Sequence, residues 1–497
     1  MTLRKVWIPD AALICSALTL VYCLFLADGW TQLFRDSDTG WHIRTGEHIL
    51  NTRSLPFADP YSFSKTGQPW FAWEWGADAA TALAGHNRAG LAGVAVLYAG
   101  LIAFAIWLWW QLTWAMGGDF LLGWLFAVPM LSTTNLHWLA RPHIFGWVFA
   151  ILAVWMAERR RSLILVALLS VVWTNVHASF FLLPLILLIY ASGDFIAPRV
   201  FATAVSSQPR FSWFLRAAAV AAVSTLINPY GWRVHQHVLE YLSNSELIDR
   251  IAEFQSFNFH AAGAAQIIIA LGLSAAGGLL TLTQGHVSRF FLVLLFLVLG
   301  LRSARGLPLV ALLLLPIANG AIRQSLSQGH GLRDSIAGRV RQALAYSSRL
   351  RGFDQRFNGW AWTPLVLAGL MVLARTPAIQ ARAGFPSSEF PVAAAEEVAK
   401  LPVGARILSP DKFGGYLIYR FDGQRRVFFD GRSDFYGSVF MKNYIGLVEV
   451  RPNWQDELAK HGFTHALLPN RYSLIPALEQ AGWRRLYNDE VATLLAR

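Results

Sequence analysis

Apolar runs of close to twenty residues, nearly free of charge, recur from Ala11 to about Ala374, and no other feature restricts the fold of this chain so strongly. A soluble core gathers its apolar residues in short periodic stretches. A continuous run of this length needs a hydrocarbon solvent, where a helix satisfies its own backbone groups. Spans are expected near 11–27, 89–111, 119–134, 143–157, 162–175, 179–195, 212–227, 264–283, 288–301, 306–321 and 359–375. Composition agrees: 55% of the residues are hydrophobic and 14% charged, where a soluble domain carries roughly a quarter charged. The net charge of +12 comes from basic residues spread over the loops between apolar runs. That pattern reports orientation in a membrane, so membrane lipids are expected partners and nucleic acid is not. Cys15 and Cys23 lie in one apolar run, about 12 Å apart along a helix, too far to pair.

Orientation follows from counting Lys and Arg. The first run comes after Arg4 and Lys5 and lacks a small-residue cleavage site, so it reads as a retained helix with a cytoplasmic N-terminus. Alternate loops then carry Arg159-Arg160-Arg161, then Arg199, Arg210 and Arg216, then Arg289. The loop 322–358 adds Arg323, Arg333, Arg339, Arg341, Arg349, Arg351 and Arg356 against Asp334 and Asp354. These segments face the cytoplasm by the positive-inside rule. The opposite loops collect acids: Asp28, Asp36, Asp38, Glu47, Asp59, Glu74 and Asp78 in the first, Glu240, Glu246, Asp249 and Glu253 in a later one. Runs 288–301 and 306–321 are short and joined by Arg302-Ser303-Ala304-Arg305. Fusing them into one helix would push the seven-arginine loop outward, so they are kept as a hairpin.

The expected protein is an α-helical polytopic membrane protein of about eleven transmembrane helices with a small C-terminal α/β domain. Residues 1–375 form the membrane module, with a first outer loop at 28–88, and residues 376–497 form a soluble extracytoplasmic domain. Within that domain short strands are expected at 406–408, 415–420, 425–430, 465–468 and 483–487. Helices are expected near 390–400 and 453–461, and turns at Pro402-Val403-Gly404 and Phe413-Gly414-Gly415.

Chemistry concentrates in the first outer loop. Asp36 and Asp38 lie two residues apart beside the membrane, followed by His42, Arg44 and Glu47. In a helix the two acids diverge by about 200°, but on a turn both point at one substrate. Such a pair acts as a general base toward a hydroxyl or holds a divalent cation, Mg or Mn. A solvated acidic loop balancing Arg35 stands beside that reading. Trp70, Trp73, Glu74 and Trp75 suit an interfacial belt, and they also suit sugar stacking with an acid to accept hydroxyl bonds. Other polar groups sit at the outer ends of spans: His137, Arg141 and His143, then Asn175 and His177, then Arg302 and Arg305. Ionisable groups at membrane depth are costly, and arginines at the lipid–water boundary fit a lipid-linked phosphate bidentately. Snorkelling or helix capping is the plainer role for any single one.

An N-terminal span, an outer loop opening with Asp36-Ser37-Asp38, many helices and an outward C-terminal domain together resemble the GT-C membrane glycosyltransferases. That superfamily includes protein O-mannosyltransferases, aminoarabinose transferases and oligosaccharyltransferases. The wording Asp38-Thr39-Gly40-Trp41-His42, Asp59-Pro60-Tyr61-Ser62-Phe63, Trp73-Glu74-Trp75, Asn228-Pro229-Tyr230-Gly231 and Phe429-Asp430-Gly431-Arg432 is most similar to uncharacterised bacterial multi-pass members. The tryptophan-aspartate signature of oligosaccharyltransferases is missing from residues 376–497, which argues against that branch. The resemblance implies an inverting transferase moving a hexose or pentose from a polyprenyl-phosphate donor to a lipid, glycan or protein acceptor at the outer face of a bacterial inner membrane. Asp38 or Asp36 would be the base, and Arg141, Arg302 and Arg305 would stabilise the leaving phosphate. His42, Arg44, Glu74, His143 and His177 complete the expected substrate-binding set. No Gly-rich phosphate loop occurs, which fits a lipid-borne donor. A transporter or flippase, or a non-catalytic subunit of envelope polysaccharide assembly, is the alternative. Transporters place ionisable residues near mid-span, whereas here they gather at outer ends.

Overall fold

The computed structural model describes residues 3–86, 88–201, 211–329 and 333–497, with side chains from residue 5 onward. Arg210, counted above for orientation, lies outside the described residues, as does the side chain of Arg4.

A helix stands at each of the eleven apolar runs. In chain order the helices up to residue 375 are α1 (Ala11–Phe25), α2 (Asp38–Thr52), α3 (Trp75–Gly85), α4 (Gly90–Ala115), α5 (Phe120–Asn135), α6 (His143–Arg159), α7 (Leu163–Val176), α8 (Leu182–Val200), α9 (Phe211–Ser224), α10 (Arg233–Ser243), α11 (Ala264–Thr283), α12 (Val287–Arg302), α13 (Leu315–Gln328), α14 (Asp334–Asp354) and α15 (Trp362–Leu373). Helices α2, α3, α10 and α14 lie outside the apolar runs. Five stretches are long and apolar enough to cross a bilayer: Lys5–Phe25, Gly90–Ala115, Ala178–Val200, Ala264–Thr283 and Ala304–Gln328. Helices α5, α7, α9 and α15 are shorter and also apolar. Polar caps fix where several of them begin. Asp10, Asp119 and Ser162 accept backbone N–H groups of the first turns of α1, α5 and α7, groups that no intrahelical carbonyl can reach.

The hairpin at Arg302–Arg305 is present. Ser303 is extended (φ −143°, ψ 130°), which ends α12. The chain then doubles back closely enough that a β-carbon on Gly306 would lie 2.7 Å from the Leu299 backbone.

Contacts sort the loops into two faces. On one, Ala11 N donates to Asp354 Oδ1 at 2.7 Å and Asn358 N to Lys5 O at 3.0 Å, so the N-terminus and the basic segment 322–358 lie together. On the other, the loop 28–88 meets residues 136–142, the segment around Glu253 and the whole C-terminal region. Helices α2 and α3 supply the base of that face. They cross so closely that a β-carbon on Gly46 would sit 1.9 Å from the Asp78 carbonyl oxygen.

The C-terminal region contains α16 (Ala394–Lys400), α17 (Asp411–Arg420), α18 (Ser433–Val448), α19 (Trp454–Lys460) and α20 (Leu474–Gln480) around a four-stranded sheet. Strands β1 (Ile407–Leu408), β2 (His465–Pro469), β3 (Arg484–Asn488) and β4 (Ala492–Ala496) are ordered β1-β2-β4-β3. The β1–β2 pair is parallel, and β4 runs antiparallel to both of its neighbours.

Three expectations about this region are corrected. Residues 415–420 are helical, within α17, not a strand. Gly414 and Gly415 are not turn glycines but close-approach glycines. A β-carbon on Gly414 would meet Phe429 O at 1.8 Å, and one on Gly415 would meet Ser37 O at 2.6 Å. Residues 425–430 join no strand of the sheet; Val427 makes a single parallel bridge to Ser62 of the first outer loop. Strand β4 and helices α18 and α20 complete the region.

Candidate active site

Asp36 and Asp38 flank the start of α2. Asp38 N donates to Asp36 Oδ1 at 2.8 Å, which fixes the geometry of the pair, and Asp38 is the first helical residue. Both carboxylates turn the same way, as expected of a turn, and they meet Arg141. Its Nη1 lies 2.8 Å from Asp36 Oδ2 and its Nη2 lies 2.8 Å from Asp38 Oδ2. Arg141 is held in register because Ala140 N donates to Leu33 O at 2.8 Å and Thr39 Oγ1 donates to Ala140 O at 2.9 Å. A third acid completes the group. Glu253 Oε1 is 2.9 Å from Arg141 Nη1, and its Oε2 is paired with Arg305, whose guanidinium also covers the Phe254 ring.

Three carboxylates thus share two guanidiniums. Burial raises Asp38, Arg141 opposes it, and neighbouring Asp36 and Glu253 add to the rise, leaving Asp38 at about 7. Burial would also raise Glu253, but Arg141 and Arg305 outweigh it and hold that carboxyl below its ordinary range. The oxygens are hard donors of the kind Mg or Mn takes. The guanidinium of Arg141 stands among them, and among the described residues no three His, Cys, Asp or Glu side chains are grouped to hold a metal ion.

A second polar group lies beside the first. His42 Nδ1 is 2.5 Å from Asp78 Oδ1, while Glu74 places Oε2 3.9 Å from His42 Nε2 and Oε1 3.5 Å from His177 Nε2. Glu74 is the N-cap residue of α3 but makes no capping bond, so its carboxyl faces the histidines. Burial raises Glu74 to about 8, against the pull of Arg141 and Arg305. Burial also lifts Asp78 well above its ordinary value and lowers His42 well below its own, so both are pushed toward their neutral forms. Burial, then Arg305 and Arg141, lowers His177 to about 3.

The fold therefore brings together Asp36, Asp38, Arg141 and Arg305 in one group and His42, Glu74 and His177 in the other. Three expected residues stand apart. Arg44 is turned toward the C-terminal region, donating to Tyr419 O at 3.1 Å and pairing with Asp422 at 2.5 Å. His143 Nε2 is spent on the His137 carbonyl oxygen at 2.8 Å. Arg302 is exposed at the end of α12 and forms no ion pair among the described residues. Two members had not been singled out. Glu253 had no signal beyond being one of four acids in its loop. Asp78 stands four residues after Glu74, helical spacing that puts both on one face of α3.

The Asp430–Gly431–Arg432 turn roofs the first group. A β-carbon on Gly431 would fall 1.8 Å from Asp38 Oδ1. Arg432 is buried, pairing with Asp59 at 2.8 Å and Asp430 at 2.7 Å, with its guanidinium over the rings of Trp70, Phe435 and Tyr61.

No protein-family model matches the chain, and no curated protein matches it in sequence. Among solved structures it is similar to the oligosaccharyltransferase AglB of Archaeoglobus fulgidus in complex with an inhibitory peptide and a dolichol-phosphate. The TM-score is 0.56 at 11% identity, over 92% of this chain and 69% of that one. The apo form of the Archaeoglobus fulgidus oligosaccharyltransferase aligns with a TM-score of 0.51 at 12% identity, over the same shares of both chains.

Proposed function

We propose that this chain, whose fold is similar to that of the Archaeoglobus fulgidus oligosaccharyltransferase, is a GT-C membrane glycosyltransferase that transfers a sugar from a polyprenyl-phosphate carrier to an acceptor hydroxyl on a lipid, glycan or protein. The carrying observation is the meeting of Asp36, Asp38, Arg141 and Glu253 from three separate outer segments. Asp38 is the base. Its carboxylate takes the acceptor proton as the acceptor oxygen bonds to the anomeric carbon. The carbon–oxygen bond to phosphate breaks, and its electron pair leaves with the phosphate. One displacement inverts the anomeric centre. Protonation of Asp38 removes one of the three carboxylates that hold Arg141, freeing part of that guanidinium for the departing phosphate. Arg305, which shares Glu253 with Arg141, supplies the other donors. Glu74, uncharged near neutral pH, donates to a sugar hydroxyl between His42 and His177.

The assay is sugar transfer from polyprenyl-phosphate hexose in membranes bearing Asp38→Asn or Asp36→Asn. A lost base is expected to cost roughly two to four orders of magnitude in turnover. Chelator sensitivity of the wild type would instead place Mg or Mn on Asp36 and Asp38 with Arg141 withdrawn. Full activity of the double Asn variant would leave the non-catalytic or flippase role standing.

We also propose that the face carrying this site is extracytoplasmic, at a bacterial inner membrane, with the N-terminus and residues 322–358 in the cytoplasm. Arginine asymmetry supports it, as does the contact of the C-terminal region with the loop 28–88. Reporter fusions after Arg349 and after residue 380 are expected to give opposite signals; matching signals would overturn the assignment.

A further inference from the structure

The Asp430–Gly431–Arg432 turn belongs to the C-terminal region, yet it packs against the Asp38 carboxylate. The three heavy atoms nearest to a β-carbon at Gly431 are all Asp38 side-chain atoms: Oδ1 at 1.8 Å, Cγ at 2.7 Å and Oδ2 at 3.1 Å. The Asp38 carboxylate therefore points its Oδ1 end at a bare Cα, into space that a β-carbon of any other residue type would fill.

The turn cannot easily retreat. Arg432 is 2% exposed, and its N and Nε donate to Asp430 Oδ1 at 3.1 and 2.8 Å. Tyr436 donates to the other Asp430 oxygen at 2.8 Å. Arg432 reaches across to Asp59, Val427 N donates to Tyr61 O at 2.9 Å, and Lys65 Nζ donates to the Tyr436 carbonyl oxygen at 2.9 Å. Stitches of this kind bind the turn to the outer loop that carries Asp38. A buried ion pair with this many partners adds little net stability but strongly penalises displacement of any one member.

We infer that Gly431 is a positioning residue for Asp38, its bare Cα being the surface that holds the carboxylate toward Arg141. The inference rests on the assignment of Asp38 as base, and it makes the C-terminal region part of the reaction centre. The turn covers the carboxylate, keeps water from it and leaves it the one orientation in which Arg141 is reached. A displacement of about 1 Å in such a group costs on the order of a hundredfold in rate.

Two measurements test this. The first is a stability cycle in detergent on wild type, Gly431→Ala, Asp38→Ala and the double variant. Gly431→Ala is expected to lower the melting midpoint in the wild type and to cost little once Asp38 is shortened, because the added methyl then enters vacated space. Equal losses in both backgrounds, including failure of both alanine proteins to accumulate, would show that the methyl meets something other than Asp38 and would overturn the inference. Accumulation of the double variant alone would support it.

The second measurement is transfer from polyprenyl-phosphate hexose. Gly431→Ala is expected to cut kcat about a hundredfold with little change in KM for the donor. It should cost nothing further in the Asp38→Asn background, since both changes disable one unit. An inactive Asp38→Asn beside a fully active Gly431→Ala would overturn the positioning role and leave the base intact. A fully active Asp38→Asn would instead remove the base, and with it any catalytic meaning of Gly431.

Discussion

The two polar groups on the outer-loop face handle charge in opposite ways, and the first is the more open of the two: the Arg305 and Glu253 side chains are 37% and 26% exposed, those of His42 and Asp78 1% each. Around Arg141 and Arg305, three carboxylates are neutralised by guanidiniums, and Glu253 stays ionised for that reason. Around His42, Asp78, Glu74 and His177, no guanidinium is within ion-pair distance. Burial pushes that cluster toward its neutral forms, raising the acids Glu74 and Asp78 and lowering the imidazoles His42 and His177. A paired centre can lose and regain charge during a reaction, whereas an uncharged one is suited to hydrogen bonding a neutral sugar. In the proposed reaction, phosphate and proton chemistry belongs to the first group and hydroxyl recognition to the second.

That division breaks most visibly at Arg141. Arg141→Lys keeps the charge but loses the fork that spans Asp36 and Asp38, and turnover is expected to fall about a hundredfold with expression unchanged. Steady-state transfer in membranes checks it. Wild-type rates from Arg141→Lys, Arg302→Lys and Arg305→Lys alike would reduce all three to interfacial residues.

A smaller effect belongs to the second group. Asp38 must be ionised to act, so activity should rise as pH passes about 7, while Glu74 must be protonated to donate, so activity should fall as pH passes about 8. Glu74→Gln, which always donates, is expected to remove the alkaline fall and leave the acid limb in place. Loss of the acid limb instead would exchange the roles of the two groups.

Smallest is a slope in stability. Between about pH 7.5 and 8.5 the lowered histidines are neutral folded and, well above their ordinary value of 6.5, largely neutral unfolded. Asp38 and Glu74, raised from ordinary values of 3.8 and 4.5, still bind protons only in the folded state. Folded protein then holds more protons than unfolded, so stability falls as pH rises through that window. Melting midpoints in detergent should decline from about pH 7.5 to 8.5, and Glu74→Gln should flatten that decline. A midpoint that climbs with pH would show that these acids are ionised after all.

The helices at the eleven apolar runs, the Arg302–Arg305 hairpin and the placement of the acids on one face and the arginine-rich segment on the other were legible in the sequence. Each depends on local runs of apolar residues or on which loops carry charge, properties that a linear chain displays directly. The pairing of Asp36 with Asp38 was legible too, because two residues on a turn need no partner to share a direction. Their meeting with Arg141 and Glu253 was not, since those contacts close chain separations of more than a hundred residues and depend on how helices pack. Gly414 and Gly415 show the same boundary from the other side. Their identity in the sequence looked like a turn, and only the proximity of Phe429 and Ser37 revealed them as places where two backbones touch inside a helix. Sequence alone set the solvent, the spans and the kinds of side chain offered to one face. Tertiary structure decided which carboxylates face a guanidinium, and that pairing determines which of them keep their charge.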